Sequence, residues 1–223
     1  MPRTILLIAA LPEEADAFRR GEGSLVEILP HPARLIDQGK THINIVTCGL
    51  GKVNAALAVG RHANADTALV AMTGTCGRIG EIAGDTFWIA KSIQHDYGAR
   101  GSKGFTHYRA GDWPMGEPRD VAYAAMPDPG LGLPHATIAS GDVFLECAET
   151  AAALAQRLGA HLVDMEVAAV AQSAEALGLP WCAIKAVTDG ADGESAGDFS
   201  ANLQRAASKA AEAMTGFIDG WVS

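Results

Sequence analysis

The chain has 223 residues, of which 48% are hydrophobic, and its formal net charge is −9 at pH 7. We expect a single domain over residues 1–223, because this length and hydrophobic content suffice for one sizeable α/β core, although two small domains are also compatible with the length. An acidic chain lacks the clustered Lys and Arg that bind a phosphate backbone or an anionic membrane, so we expect neither nucleic acid nor membrane as a partner.

The four cysteines are widely spaced, contain no CxxC pair and stand in or beside apolar stretches. This pattern is typical of isolated buried thiols and favours a reducing compartment. The apolar run 5–10 near the amino terminus is too short for a membrane span and lacks a small-residue cleavage site. We therefore expect a cytoplasmic protein, and we expect no metal and no cofactor.

Apolar runs rich in Val and Ile alternate with Ala-rich stretches of helical period. This alternation predicts an α/β fold with a mainly parallel sheet covered by helices. The predicted strands are 5–10, 25–29, 43–48, 69–73, 87–93, 136–140, 162–165 and 181–187, and the predicted helices are 13–20, 52–65, 149–158, 166–177 and 202–218. The segment 109–134 contains nine Gly and Pro residues, which predicts a long surface excursion: a lid, an interface element or a partly disordered loop.

In an α/β sheet, ligands bind beyond the carboxyl ends of the strands, so residues directly after each apolar run are candidates for a site. Glu13 and Glu14 follow the first strand and Pro12, although capping of the next helix would also explain these acids. Glycine-rich segments follow two further strands, with the sequences CGLGKV (48–53) and TGTCGR (73–78). Such glycines let backbone N–H groups approach a ligand closely, but turn chemistry alone favours a short turn between strand and helix.

Three later strand ends carry further candidates. The segment SGDVF (140–144) brings Phe144 either to the sheet edge or into the core at a capped helix start. Asp164 and Glu166 lie in an otherwise apolar passage from strand to helix, where a buried carboxylate needs a specific partner, unless it stabilises the helix start. Asp189 follows the strand 181–187 and is either a turn former or a functional acid.

Taken together, these five places resemble in order and spacing the bacterial 5′-methylthioadenosine/S-adenosylhomocysteine nucleosidases within the nucleoside phosphorylase superfamily. The likeness extends over essentially the whole chain, from ALPEE (10–14) to TDGAD (188–192) and the helix after it. The resemblance implies a three-layer α/β/α fold with a central mixed, mainly parallel sheet. It also implies an enzyme that uses water to cleave the bond between a purine base and a ribose.

The same resemblance implies roles for individual residues. Asp189 resembles the general acid that donates a proton to N7 of the departing purine, and Glu14 resembles the residue that orients the attacking water. The residues expected to bind the nucleoside are Glu166 and Met165 at the ribose hydroxyls, Phe144 and the Leu145 backbone at the base, and Thr75, Gly77 and Leu50 in the same pocket.

The segment 95–114 resembles the part of these nucleosidases that crosses a dimer interface. The resemblance implies a homodimer in which Phe105 and Pro114 close the 5′ end of the neighbour's pocket, although a mobile surface loop would also explain the segment. Trp113 adds a bulky ring, and the stretch 114–140 is shorter than in the family, so the 5′ substituent of the substrate stays open.

Water is favoured over phosphate as the nucleophile. The superfamily's phosphorylases bind phosphate with arginines where this chain has PEE (12–14) and Met72, and a carboxylate at Glu14 repels a phosphate dianion. Arg78 could still bind an anion from another direction, so a purine nucleoside phosphorylase stays possible. A nucleosidase for futalosine or adenosylhopane, a catalytically silent binding protein and an interaction domain are also compatible with the sequence.

Overall fold

The computed structural model describes residues 3–19, 24–26, 32–37, 41–102 and 104–222. Positions 27–29 of the predicted strand 25–29, and position 20 at the end of the first predicted helix, lie outside the described residues. The elements in chain order are β1 (Arg3–Ala9), α1 (Pro12–Arg19), β2 (Ser24–Val26), β3 (Ala33–Asp37), β4 (Thr41–Thr47), α2 (Lys52–His62), β5 (Thr67–Arg78), β6 (Thr86–Gln94), β7 (Gly98–Gly101), β8 (Gly104–His107), β9 (Ala122–Ala124), β10 (His135–Ser140), α3 (Ala148–Leu158), β11 (Leu162–Asp164), α4 (Val167–Ala176), β12 (Trp181–Asp189) and α5 (Ser195–Val222).

Ten of these strands form one mixed sheet in the order β11-β10-β6-β12-β5-β1-β4-β3-β2, with β9 paired to β6. β1 pairs in parallel with β4 and β5, and β12 pairs in parallel with β5. β11 pairs with β10 and also, in antiparallel register, with the end of β5, where Val163 faces Gly77. The predicted α/β fold with a mixed sheet is confirmed. The second pairing of β11 was not predicted, and it closes one end of the sheet into a barrel-like ring.

Alternate side chains of β1 point to two separate hydrophobic clusters, as the two-residue period of a strand requires. Leu6 and Ile8 belong to a cluster with buried residues of α2 and α4, whereas Ile5 and Leu7 belong to a cluster with residues of α1 and α5. All four side chains are fully buried. Burial on both faces explains why this strand is an uninterrupted apolar run in the sequence.

Several elements differ from the sequence-based predictions. β3, the hairpin of β7 and β8, and β9 within the 109–134 excursion were not predicted, because they are short and lack a clear apolar alternation. The interpretation of 73–78 as a turn is wrong, since this segment continues β5 as far as Arg78. α5 begins at Ser195, before the predicted start at 202.

Three of the four cysteines, Cys48, Cys76 and Cys182, are buried free thiols. Cys147 is exposed at the start of α3, so the prediction of burial is wrong for this residue. No helix in the described ranges is both long and apolar enough to cross a membrane. The same residues contain no group of three or more His, Cys, Asp or Glu side chains that could hold a metal ion.

Candidate active site

A cavity of about 260 Å³ opens where β1, β5, β11 and β12 end. Eleven site residues are expected from the sequence, and nine of them line this cavity: Glu14, Leu50, Thr75, Gly77, Phe144, Leu145, Met165, Glu166 and Asp189. These residues come from distant parts of the chain. Those that follow β1 and end β12 meet those of β5 because the three strands are parallel and their carboxyl ends lie at one edge of the sheet. Those that follow β10 and β11 are brought to the same place by the antiparallel pairing of β11 with the end of β5. Phe105 and Pro114 do not line it.

Glu14 lies in the first turn of α1, and its side chain is turned inward, leaving the residue 2% exposed. One carboxyl oxygen accepts hydrogen bonds from the backbone N–H groups of Ala10 (2.9 Å) and Leu11 (3.1 Å). The other accepts from the backbone N–H (2.7 Å) and the hydroxyl (2.8 Å) of Thr75. Four donors therefore fix the orientation of this carboxyl group at the cavity wall.

Gly74 of β5 lies opposite Glu14, where there is no room for a larger residue. A Cβ atom at this position would lie 2.6 Å from Oε1 of Glu14, and the backbone φ of +151° is one that other residues rarely adopt. Gly77 plays a similar part further along the strand, because a Cβ there would lie 3.0 Å from Oδ1 of Asp189. The two glycines thus make room for two acidic side chains.

Glu166 directly precedes α4 and is 3% exposed. Its Oε1 accepts a hydrogen bond of 2.8 Å from the backbone N–H of Gly51. Burial, together with the nearby charge of Asp164, raises the pKa of Glu166 to about 8, although Lys185 and the Gly51 amide act to lower this pKa. The raised pKa of Glu166 favours its protonated form near neutral pH.

Asp164, which lines the cavity, forms a buried ion pair with Lys185, which does not. Nζ of Lys185 lies 3.0 Å from Oδ2 of Asp164, and the two side chains are 1% and 3% exposed. Asp164 also accepts from the hydroxyl of Ser140 (2.5 Å) and from the backbone N–H of Val167 (3.1 Å). Burial lowers the pKa of Lys185, but the charges of Asp164, Glu14 and Glu166 outweigh burial and raise this pKa overall.

Lys185 was not identified from the sequence, although a signal was present. A lysine within the buried run 181–187 requires an anionic partner, because an unpaired buried ammonium is costly. A specific partner is expected from the sequence for one of the two acids of the 162–166 passage, and the structure gives Asp164 that partner in Lys185.

Asp189 ends β12 and is 7% exposed. Its Oδ2 accepts from the hydroxyl of Thr188 (2.7 Å) and its Oδ1 from the backbone N–H of Ala191 (3.0 Å). Ala191 has a φ of +52°, which is unusual for a residue with a side chain and typical of strained functional turns. Asp192 accepts from the backbone N–H of Glu194 and so stabilises the turn that precedes α5.

Apolar side chains form the remaining wall. Phe144 is 45% exposed, and its ring contacts that of Phe199 edge to face, with 6.0 Å between the centroids. Leu50 and Leu145 extend this surface. Phe199 was missed in the sequence because the segment before 202 was not predicted as helix. The signal that could have identified Phe199 is an aromatic residue that stands between two polar residues, Asp198 and Ser200, shortly after the acidic turn at 189–192.

Phe105 and Pro114 lie in the segment between β7 and β9. The ring of Phe105 contacts His107 edge to face at 4.8 Å and lies beneath the guanidinium of Arg100. The loop around Pro114 is held by the Tyr97 hydroxyl, which donates to the carbonyl of Asp112 at 2.7 Å. Neither residue reaches the cavity of its own chain, and their role in a neighbour's pocket stays a prediction.

Arg78 does not face the cavity. Its guanidinium donates to the carbonyls of Ile82 and Gly84, lies 3.5 Å from Asp85 and covers the ring of Phe87. The structure therefore gives no support to an anion site at Arg78, because its guanidinium contacts groups within the 78–87 segment and does not line the cavity. Among the described residues that line the cavity, none is Arg or Lys.

The chain belongs to the phosphorylase superfamily, whose sequence model matches residues 4–219. It is 27% identical to the 5′-methylthioadenosine/S-adenosylhomocysteine nucleosidase of Mycobacterium tuberculosis, over 96% of each chain. It is 31% identical to the futalosine hydrolase of Thermus thermophilus, over 63% of this chain and 66% of that one. Its fold is similar to that of a Helicobacter pylori MTAN mutant crystallised with 5′-methylthioadenosine in the active site, with a TM-score of 0.85 at 20% identity, over 99% and 100% of the two chains.

Proposed function

We propose that this protein hydrolyses the N-glycosidic bond of a purine nucleoside of the 5′-methylthioadenosine or S-adenosylhomocysteine type, releasing adenine and the ribose derivative. The observation that carries the proposal is the convergence of Glu14, Glu166 and Asp189 on one mainly apolar cavity. The relative from Mycobacterium tuberculosis, which matches over nearly the whole chain, is named for the same activity.

The chemistry explains why three acids are useful here. Cleavage of an N-glycosidic bond develops positive charge on the sugar and negative charge on the departing base. Asp189 donates a proton to N7 of the purine, and Glu14 orients the water and accepts its proton. Proton transfers of this kind each contribute about 10²- to 10⁴-fold to the rate. Glu166 binds the ribose hydroxyls between them.

The other cavity residues bind the nucleoside. Phe144 stacks on the base, and its half-exposed ring at the cavity supports this role. The Leu145 backbone reads the base edge, and Met165 packs on the ribose. Thr75 and Gly77 contribute less directly, because they hold and accommodate the side chains of Glu14 and Asp189.

Water is the nucleophile that this cavity favours. Glu14 lies at the wall where a nucleophile would approach, and a carboxylate there repels a phosphate dianion. Phosphate would also need cationic donors, and the described lining residues include no Arg or Lys.

A second candidate substrate is futalosine. The relative from Thermus thermophilus is named futalosine hydrolase and is more similar to this chain per aligned residue, over a shorter match. The same acids would serve the same kind of bond cleavage, so this candidate changes the substrate and leaves the mechanism intact.

We further propose a single-domain, cytoplasmic homodimer with a three-layer α/β/α arrangement. The two hydrophobic clusters on opposite faces of β1, each covered by two helices, support three layers. Trp113 and Met115 are 75% and 67% exposed beside Pro114, which supports an interface at this loop. The buried free thiols support a reducing compartment.

The proposal is tested by product analysis. The purified protein is incubated with methylthioadenosine, S-adenosylhomocysteine, adenosine, inosine and futalosine, with and without phosphate, and the products are separated by chromatography. Free base and free sugar in equal amounts, independent of phosphate, are expected for one or more substrates. A sugar 1-phosphate that forms only with phosphate would contradict the assignment as a hydrolase. The absence of cleavage of all five nucleosides would contradict the proposed enzymatic activity.

A further inference from the structure

Two turns that line the cavity are joined by charged side chains outside it. The first turn follows β4 and contributes Leu50 to the lining, and the second follows β10 and contributes Val143 and Phe144. These side chains are 53%, 52% and 45% exposed, so packing against the core does not fix them. Backbone hydrogen bonds anchor each turn to a neighbouring strand end, from Gly49 to Ala10 and from Gly141 to Asp164, and side chains between the turns add to them.

Lys52, Asp96 and Asp142 form a closed ring of hydrogen bonds between these turns. The backbone N–H of Lys52 donates to Oδ1 of Asp142 (2.8 Å), and the backbone N–H of Asp142 donates to Oδ2 of Asp96 (3.0 Å). Nζ of Lys52 closes the ring at Oδ1 of Asp96 (2.6 Å) and also donates to Gln94 (3.1 Å). The ring therefore connects three separate strand ends.

The ring is coupled to the candidate site through one residue. Gly51, which precedes Lys52, donates its backbone N–H to Glu166. Its φ is +95°, and a Cβ there would lie 3.1 Å from Oδ1 of Asp142, so glycine is needed at this point. Lys52 and Gly51 are adjacent, so the backbone that is bound to Asp142 is continuous with the backbone that donates to Glu166.

The ion pair in the ring is better protected than an ordinary surface pair. The side chains of Lys52 and Asp96 are 18% and 27% exposed. Burial raises the pKa of Asp96, but the hydrogen bonds from Lys52 and Asp142 outweigh burial and lower this pKa overall. The lowered pKa keeps Asp96 ionised at neutral pH, where it accepts a hydrogen bond from Nζ of Lys52.

We propose that Lys52 and Asp96 are positioning residues for the nucleoside. They hold the Leu50 turn and the Phe144 turn at the separation that fits the substrate, and they orient the Gly51 amide toward Glu166. This inference rests on the proposed function. Neither side chain needs to touch the substrate, because a loop that is already ordered costs less free energy to order on binding.

The test compares Lys52→Met and Asp96→Asn with a matched control. Lys209 lies on α5, away from the cavity lining, and forms an ion pair with Asp85. The two side chains are 42% and 59% exposed, so Lys209→Met removes an ordinary surface pair. Steady-state kinetics with the nucleoside that the wild type cleaves should show KM raised on the order of tenfold in both ring variants, with kcat changed less than about threefold. Lys52→Arg keeps the charge and should recover most of the affinity.

Amide hydrogen exchange gives a readout that does not depend on activity. The amides of 49–53 and 141–146 should exchange on the order of tenfold faster in Lys52→Met and Asp96→Asn than in the wild type, and at wild-type rates in Lys209→Met. Unchanged exchange in these turns, or faster exchange without a rise in KM, would overturn the inference. If the wild type cleaves no nucleoside, the proposed function fails, while the exchange rates still decide whether the ring holds the turns.

Discussion

Replacement of Lys185 by methionine should strongly destabilise the protein, although the lysine does not line the cavity. The change removes the ammonium group and leaves the carboxylate of Asp164 buried, with hydrogen bonds only from Ser140 and Val167. Removal of one partner of a buried ion pair costs about 3–5 kcal/mol. For a protein of this length, this corresponds to a fall of about 6–20 °C in Tm.

The matched variants separate charge from packing. Lys185→Met combined with Asp164→Asn replaces both charges, and the asparagine can still accept a hydrogen bond, so the double variant should recover most of the lost stability. Lys209→Met removes a pair that is largely exposed and should cost less than about 1 kcal/mol. Urea unfolding at pH 7, followed by tryptophan fluorescence and by circular dichroism, gives the free energies of unfolding.

Two results would refute this reasoning. One is a Lys185→Met variant as stable as Lys209→Met, since an unpaired buried carboxylate must be costly. The other is a double variant no more stable than Lys185→Met alone, since the loss would then come from packing and not from charge. Either result would mean that the Asp164–Lys185 ion pair does not contribute the predicted stability.

Three further predictions concern the acids and the glycine beside them. Glu14→Gln should lower kcat at least 100-fold with little change in KM, measured by steady-state hydrolysis. The pKa of Glu166 rises from 4.5 to about 8 on folding, so between these pH values the folded state binds a proton that the unfolded chain releases. The free energy of unfolding should therefore fall as the pH rises through this range. Urea titrations at several pH values should show that Glu166→Gln lacks this contribution to the pH dependence. Gly74→Ala should displace Glu14 and abolish hydrolysis, whereas Gly60→Ala, at an open helical position, should raise Tm slightly and leave activity unchanged.

The location of the candidate site could be predicted because its acids follow apolar runs directly. Glu14, Glu166 and Asp189 each come after an apolar run that is recognisable in the sequence. The ends of β1 and β12 meet at one edge because both strands are parallel to β5, whereas Glu166 reaches that edge through the antiparallel pairing of β11 with β5. For Glu14 and Asp189, the reasoning needs only local patterns and one general rule of α/β folds. The hydrogen bonds of Glu14 and the pairing of Asp164 with Lys185 depend on contacts between distant parts of the chain, so the local sequence does not predict them.

The glycines of β5 show where local reasoning fails. The local sequence predicts a turn at Gly74 and Gly77, because glycine breaks most strands. In the structure they remain within the strand and leave space for Glu14 and Asp189, which lie far away in the sequence. The second pairing of β11 could not be predicted for a related reason: it joins β11 to β5 through only two residue pairs, Leu162 with Arg78 and Val163 with Gly77.

The central claim is tested most directly by the turnover of methylthioadenosine, S-adenosylhomocysteine and futalosine by wild-type protein and by Asp189→Asn, in buffer without phosphate. We expect the wild type to release free base from at least one of them, and the folded variant to bind that nucleoside but release none. Cleavage by Asp189→Asn at the wild-type rate would contradict the assignment of Asp189 as the general acid and, with it, the proposed mechanism.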